Sequence, residues 1–294
     1  MDLPAIGFIG IGAMGEPMSL ALLRAGYSVT ACAHRDRERL ERVCAQGVKE
    51  AATPAAVAAA SDAVITCVPD APHVEEALFG PSGAAQGARP ASTFIDMSTI
   101  SPVKTREFAQ RLQASGHSFL DAPVSGGPAR AATGTLTIMV GADADDFARM
   151  EPVLKAMGTP HHVGAVGLGE TVKLVNQLII SNVMIANVEA LTFARKAGAD
   201  LDAVRNVLST ATASNYLLEQ WLPKTWFAGT FEGGFALDLL RKDLGAALDA
   251  ARAMKMPLPA SASAYQVYTR QSAEGDGALD YSAVAKFYEH AVGE

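Results

Sequence analysis

The first 140 residues alternate short apolar runs with segments of helical character. Runs at Ala5–Ile9, Ser28–Ala33, Ala63–Val68, Thr93–Asp96, Ser118–Asp121 and Thr135–Val140 predict β-strands. Between them, Pro17–Ala25, Arg37–Gln46, Pro54–Ala60, His73–Leu78 and Pro102–Ser115 predict helices, several opening at proline or behind a polar cap, and Ala144–Met157 adds one more. Such alternation builds a mostly parallel, doubly wound sheet with helices on both faces. After Gly164 it stops. Glu170–Ala197 runs for 28 residues without Gly or Pro, about 40 Å of helix at about 1.5 Å per residue. A helix of that length commonly bridges domains. Its apolar residues fall on more than one face, so it is expected to be packed by its own neighbours or by a partner subunit. Leu201–Ser209, Tyr216–Trp221, Leu237–Met254, Ser261–Ser272 and Tyr281–Ala291 complete an all-helical second half. The expected organisation is an α/β domain over 1–164 and an all-α domain over 165–294, joined by the long helix.

Composition narrows what such a chain can do. With 49% hydrophobic and 19% charged residues, the 294-residue chain buries a sizeable core. Its net charge of −7 offers no basic field for a phosphodiester backbone, which argues against nucleic-acid binding. Cys32, Cys44 and Cys67 are odd in number, lack metal-ligand spacing and read as reduced core residues. His161 and His162 are adjacent, but no Cys or carboxylate pattern completes a site around them, so no metal is expected. The amino terminus runs straight into a strand without a charged leader, which favours a cytoplasmic enzyme. Leu174–Ala194 is long and apolar, yet it carries Asn176, Gln177, Asn182, Asn187 and Glu189, costly groups in a bilayer. A buried helix with no membrane role fits better.

Gly10-Ile11-Gly12-Ala13-Met14-Gly15 follows the strand Ala5–Ile9 and leads into a helix, the setting that gives a G-x-G-x-x-G pattern its meaning. Gly10 permits the tight turn, Gly12 lets the backbone approach a pyrophosphate, and Gly15 lets helix pack on strand. The N–H groups at the helix start then meet the phosphates. A first domain of the Rossmann type follows, holding NAD or NADP. The next strand ends Ala31-Cys32-Ala33-His34-Arg35 without the carboxylate that bonds a ribose 2′-hydroxyl. Arg35 and Arg37 are suited to a 2′-phosphate and His34 to the adenine side, so the sequence leans to NADP. In the competing reading both arginines are solvated and Asp36 reaches the ribose.

Three further segments stand in a telling order: Asp121-Ala122-Pro123-Val124-Ser125-Gly126-Gly127, then Gly167-Leu168-Gly169 with Lys173-Leu174-Val175-Asn176-Gln177, then Lys242-Asp243. With Gly10–Gly15 and Asp96-Met97-Ser98-Thr99, they closely resemble the β-hydroxyacid dehydrogenases over nearly the whole chain. That family includes 3-hydroxyisobutyrate dehydrogenase, tartronate semialdehyde (2-hydroxy-3-oxopropionate) reductase and the glyoxylate/succinic semialdehyde reductases. The resemblance implies reversible reduction of a small semialdehyde acid by a nicotinamide dinucleotide, in a homodimer or homotetramer.

The residues themselves suit that chemistry. Lys173 lies in the first turns of the long helix, near the domain joint where a cleft is expected. A carbonyl that receives hydride develops negative charge on oxygen, which an ammonium both stabilises and protonates. Asn176 and Gln177, three and four residues on, share its helical face and orient the lysine or the substrate hydroxyl. Part of the family has Asn at the position of Gln177, whereas the Asn-Gln pair resembles the tartronate semialdehyde reductase branch. Which amide is catalytic stays open. Ser125, Gly126 and Gly127 offer a hydroxyl and two backbone N–H groups, a cradle that the resemblance assigns to the substrate carboxylate. Thr99 lies just past a strand, at the sheet edge where ligands bind, and the resemblance sets it beside the nicotinamide ribose and the substrate. Val68-Pro69 ends a strand on the same edge and is expected to line the cofactor groove. Family resemblance alone turns Lys242 toward the cofactor or substrate carboxylate, with Asp243 fixing it; composition alone makes this pair a solvated face. Trp221, Trp226, Phe227, Phe231 and Phe235 read as core.

Two rival classes share the architecture. An imine reductase usually lacks a lysine at the position of Lys173, and a non-catalytic dinucleotide-binding protein carries altered residues there and extra domains. Among acids, tartronate semialdehyde is favoured by Asn176-Gln177, with 3-hydroxyisobutyrate, succinic semialdehyde and glyoxylate as alternatives.

Overall fold

The computed structural model describes residues 3–33, 37–232 and 234–293. The chain divides into two compact units, Met1–Lys173 and Leu174–Glu294. Among the described residues the first unit holds nine strands: β1 Ile6–Ile9, β2 Val29–Cys32, β3 Lys49–Glu50, β4 Ala63–Thr66, β5 Thr93–Asp96, β6 Ser118–Asp121, β7 Val124–Ser125, β8 Leu136–Gly141 and β9 Gly158–Gly164. The helices that alternate with them are α1 Gly15–Arg24, α2 Arg37–Cys44, α3 Pro54–Ala59, α4 Ala71–Phe79, α5 Ala84–Gly87, α6 Pro102–Ala114, α7 Gly127–Thr133 and α8 Ala144–Lys155. The long helix α9, Leu168–Lys196, begins in this unit and continues into the second, followed by α10 Leu201–Leu208, α11 Leu237–Ala253, α12 Pro259–Gln271 and α13 Ala285–Val292.

The sheet runs β3-β2-β1-β4-β5-β6-β8-β7, with β9 paired to β8. All pairings from β3 to β6 are parallel, β8 is antiparallel to β6 and β7, and β9 is parallel to β8. Strands β1, β2, β4 and β5 are buried along their whole length. Alternation then divides their side chains between two cores: Ile6, Phe8, Ile65, Ile95 and Leu120 on one face, Ile9, Val64, Phe94 and Phe119 on the other. This is the Rossmann-type, doubly wound α/β fold. Order reverses at β1, whose neighbours are β2 and β4, and such a switch point is where ligands bind. Helix starts follow local chemistry. Thr53, Asp70 and Ser101 each accept from a backbone N–H in the first turn of α3, α4 and α6, with proline just inside.

Among its described residues the second unit has helices joined by turns and no strand, apart from one isolated bridge between Ala236 and Asp280. Met184, Val188 and Leu191 of α9 share its core with Leu218, Trp226, Leu240 and Tyr268, and Trp221, Phe227, Phe231 and Phe235 pack against it. Two amides of α9 have side-chain partners inside this unit. Asn182 donates to Ser261 Oγ at 2.9 Å, and Asn187 and Asn215 exchange bonds of 3.0 and 3.1 Å. By length and composition α9 could cross a membrane, and 33% of its most apolar window is buried.

Several expectations need correction. Strands β3, β7 and β9 and helices α5 and α7 were not predicted, because two-residue strands have no periodicity and β9 is interrupted by Pro160 and polar residues. Tyr216–Trp221, expected as an α-helix, is a wide π-turn over Leu217–Trp221 that tightens into a 3₁₀ turn at Leu222–Lys224, where Pro223 lacks an N–H. The last predicted helix splits into a 3₁₀ turn, Tyr281–Val284, and α13. Of the three cysteines only Cys32 is buried; Cys44 and Cys67 are half-buried.

Candidate active site

The glycine turn leaves β1 at Gly10, whose φ of +106° favours glycine. A Cβ there would collide with the Cys67 carbonyl and lie 2.9 Å from Val68 Cγ1, so the turn presses directly on the end of β4. At Gly15 a Cβ would collide with the Gly10 carbonyl oxygen and come within 2.9 Å of Phe8 Cε1. Gly12 is different: nothing lies within 4 Å of a Cβ built there, so the backbone faces open space. Ala13 is exposed and Met14 half-buried, and no side chain caps the start of α1. Open backbone at Gly12 and an uncapped helix start at a switch point fit a dinucleotide pyrophosphate.

His34, Arg35 and Asp36 lie outside the described residues. Arg37, the other arginine offered for a 2′-phosphate, is engaged by Glu50 through bonds of 2.7 and 3.2 Å. Arg39 and Arg42 both hold Glu16 of α1, and the Arg42 guanidinium draws the Glu16 carboxyl below its usual range.

At the neighbouring strand ends the loops are tied together. Val68 and Pro69 lie beyond β4, which ends at Thr66, and the Val68 N–H donates to Ser98 Oγ at 3.0 Å. Asp96, the last residue of β5, accepts from Thr66 Oγ1 at 2.8 Å and from the Ser98 N–H at 3.1 Å. Thr99 follows, half-buried. Ser125, expected in the turn after a strand, is itself the second residue of β7, paired with Thr137 of β8. Gly126 and Gly127 then turn with φ of +136° and +68°. A Cβ at Gly126 would press on Arg130, whereas Gly127 faces open space.

Lys173 belongs to the same unit and is 7% exposed. The first turn of α9, immediately before it, is held by Asp121 at the end of β6. Oδ1 accepts from the Gly167 N–H at 2.7 Å, and Oδ2 accepts from the Glu170 N–H at 2.8 Å. Glu170, also fully buried, accepts from the Ile100 N–H at 3.1 Å. Sequence reasoning gave Asp121 and Glu170 no role. The signal was present, since a carboxylate ending a strand otherwise buried must find donors from elsewhere in the chain.

Burial pushes the Asp121 carboxyl from its ordinary 3.8 up to about 6; the N–H groups of Gly167 and Glu170 oppose the shift and the charge of Asp96 adds to it. The folded chain therefore holds this proton more tightly than the unfolded chain. The contribution to stability is present below pH 3.8 and is lost as pH rises through 6. Relative to Asp121→Asn, which does not titrate, the parent should lose about 2 kcal/mol of stability between about pH 4 and pH 7. Urea unfolding at both pH values checks this, and an equal difference at the two would mean ordinary proton affinity.

Within the second unit a polar chain runs from α9 to α11. Asn176 Nδ2 donates to Gln177 Oε1 at 2.9 Å, Gln177 Nε2 donates to Asp243 Oδ2 at 2.7 Å, and Lys242 Nζ lies 2.9 Å from Asp243 Oδ1. Gln177 and Asp243 are buried, Asn176 and Lys242 half-buried. Both ends of the Gln177 amide are thus engaged, and its orientation is fixed by Asp243.

Residues 5–170 match the family described as the NAD binding domain of 6-phosphogluconate dehydrogenase, and residues 167–288 match the NAD-binding domain of NADP-dependent 3-hydroxyisobutyrate dehydrogenase. The chain is 39% identical over 289 residues to 2-(hydroxymethyl)glutarate dehydrogenase of Eubacterium barkeri, covering 98% of this chain and 96% of that one. It is 40% identical over 287 residues to 2-hydroxy-3-oxopropionate reductase of Escherichia coli K12, covering 97% of each. A solved structure of Mycobacterium tuberculosis 3-hydroxyisobutyrate dehydrogenase with L-serine superimposes with a TM-score of 0.91 at 33% identity, over 100% of both chains.

Proposed function

Because the chain belongs to the β-hydroxyacid dehydrogenase family of NAD(P)-dependent oxidoreductases, we propose that it reversibly reduces tartronate semialdehyde to the hydroxy acid, with Lys173 as general acid. When bound, a nicotinamide dinucleotide supplies or takes up the hydride; Gly10, Gly12, Ala13, Met14 and Gly15 hold its pyrophosphate, and Val68, Pro69 and Thr99 line its path. The Ser125 hydroxyl and the N–H groups of Gly126 and Gly127 receive the substrate carboxylate. In reduction the Lys173 ammonium stabilises the negative charge developing on the carbonyl oxygen and gives it a proton; in oxidation the neutral amine takes that proton back. Asn176, the more exposed amide, contacts the substrate. Gln177 acts through Asp243, which holds the Lys242 ammonium for the substrate carboxylate or the cofactor.

The observation that supports this reading most is a buried lysine in the first turns of a helix whose start is fastened to the carboxyl edge of the sheet. NADP is the preferred cofactor, by way of Arg35, with His34 at the adenine. Arg37 contributes only by leaving Glu50. Residues 1–164 serve as the dinucleotide-binding domain and 165–294 as the helical domain for substrate and self-association, in a cytoplasmic homodimer or homotetramer. Leu168, Val172, Val175 and Ile179, between 37% and 57% exposed along one stripe of α9, support burial of that helix by a second copy.

A spectrophotometric panel tests the reading: oxidation of NADPH and NADH with tartronate semialdehyde, succinic semialdehyde, glyoxylate and the semialdehyde of 3-hydroxyisobutyrate, and reduction of NADP with glycerate and 3-hydroxyisobutyrate. Tartronate semialdehyde with NADPH should lead the other acids by about 10-fold in kcat/KM, the scale on which one small group is discriminated. A different leading acid overturns the substrate, and no turnover with any overturns the redox assignment.

A further inference from the structure

We infer that Asp121 and Glu170 form a positioning brace: Asp121 grips the backbone at the start of α9, and Glu170 reaches back to the loop after β5, fixing the turn that carries Lys173. The inference rests on the reading of Lys173 as proton donor and names what holds that lysine in place. Helices are ordinarily capped by a residue just before them. Here the residue before Leu168 is Gly167, which has no side chain, and the cap comes from Asp121, 46 residues earlier on another element. Each carboxylate oxygen takes one N–H, from Gly167 and from Glu170, so the helix start is fixed at two points.

The space around the carboxylate is equally specific. A Cβ on Gly141 of β8 would collide with Asp121 Oδ1. One on Gly169 would lie 2.8 Å from Asp121 Oδ2 and collide with the Met139 carbonyl. Two glycines therefore leave room for this carboxylate and for close approach of α9 to β8. Glu170 adds a second tie through the Ile100 N–H, one residue beyond Thr99. The end of β6, the loop bearing Thr99 and the turn bearing Lys173 thus share one set of bonds, and Lys173 is the next residue on the Glu170 face of the helix. Other charged groups at the brace are Asp96, whose field acts on Asp121, and Arg106, whose guanidinium lies beside Gly167. A hydroxyl cap would serve helix stability without the cost of burying two carboxylates. Two-point attachment instead fixes where the helix turn lies relative to the sheet, and precision of that kind governs turnover.

Three variants of the full chain test the brace: Asp121→Asn, Glu170→Ala and Glu170→Gln. Asp121→Asn keeps one acceptor and turns an amide N–H₂ toward the other donor. It should lower kcat about 10-fold, a modest misplacement of the proton donor, with the NADPH dissociation constant within about 3-fold of the parent. Backbone amides at 167–170 should exchange hydrogen faster. Glu170→Ala should lose kcat similarly, whereas Glu170→Gln, which retains an oxygen for the Ile100 N–H, should recover it to within about 2-fold. That pair decides the matter should Asp121→Asn fail to fold. Parent-like kcat in Glu170→Ala, equal losses in the Ala and Gln variants, or parent-like exchange in a folded Asp121→Asn would each overturn the brace. Lys173→Ala, measured in parallel, separates the two ideas. Turnover surviving there refutes the lysine as proton donor, while faster exchange in Asp121→Asn still supports the attachment itself.

Discussion

Lys173→Ala is expected to lower turnover about 100-fold or more while leaving the NADPH dissociation constant nearly unchanged, the usual scale for removing a general acid or base. The side chain is buried in the first unit, and on the proposed mechanism its removal takes away the proton donor to the substrate oxygen while the glycine turn keeps its sequence. Lys173→Arg sharpens the test. A guanidinium keeps the positive charge but does not give up its proton near neutrality, so it should restore little of the lost kcat. Stopped-flow hydride transfer with saturating NADPH reads the effect on the chemical step. Turnover retained by the alanine variant would remove Lys173 from the mechanism.

Gly12→Ala and Gly15→Ala should separate binding from folding at the dinucleotide turn. A Cβ at Gly12 meets nothing within 4 Å and no left-handed φ stands in its way, so the unliganded variant should unfold within about 0.5 kcal/mol of the parent. The same methyl group would intrude where a pyrophosphate approaches the backbone, and the NADPH dissociation constant should rise at least about 10-fold. At Gly15 the added atom collides with the Gly10 carbonyl oxygen, which cannot swing aside as a side-chain tip can. Gly15→Ala should therefore cost about 3 kcal/mol or more in stability and lose binding with it. Calorimetric titration and thermal melts distinguish the two, and parent-like NADPH binding by both variants would place the cofactor elsewhere.

What the sequence made legible depended on how locally each feature is encoded. The central strands were readable because a stretch such as Phe94-Ile95 is apolar on both faces, and the turn at Gly10–Gly15 because its glycine spacing follows a strand directly, with Gly15 answering contacts from Phe8 and Gly10 of the same strand and turn. Thr93–Asp96 and Ser118–Asp121 were even placed to the residue. Strand β9 was not, since its partner β8 supplies the pattern that Thr159-Pro160-His161-His162 lacks. The chemistry divides in the same way. Lys173 and its neighbouring amides stand together on one helix, whereas the partners of Asp121 lie 46 and 49 residues away and Asp243, which accepts from the Gln177 amide, lies 66 away. The local pattern says at most that a carboxylate ending a buried strand needs donors, not where in the chain they lie. Arg37 is the converse case: its position suggested a phosphate ligand, and the fold brings Glu50 of β3 to its guanidinium instead.

The two outermost strands of the sheet also set how copies of this chain can meet. At one margin β3 is only two residues long and consists of Lys49 and Glu50; at the other, β9 carries Pro160, which has no N–H to offer a newcomer. Both margins are poor templates for a further strand, which works against the continuous ladder from which fibrous aggregates grow.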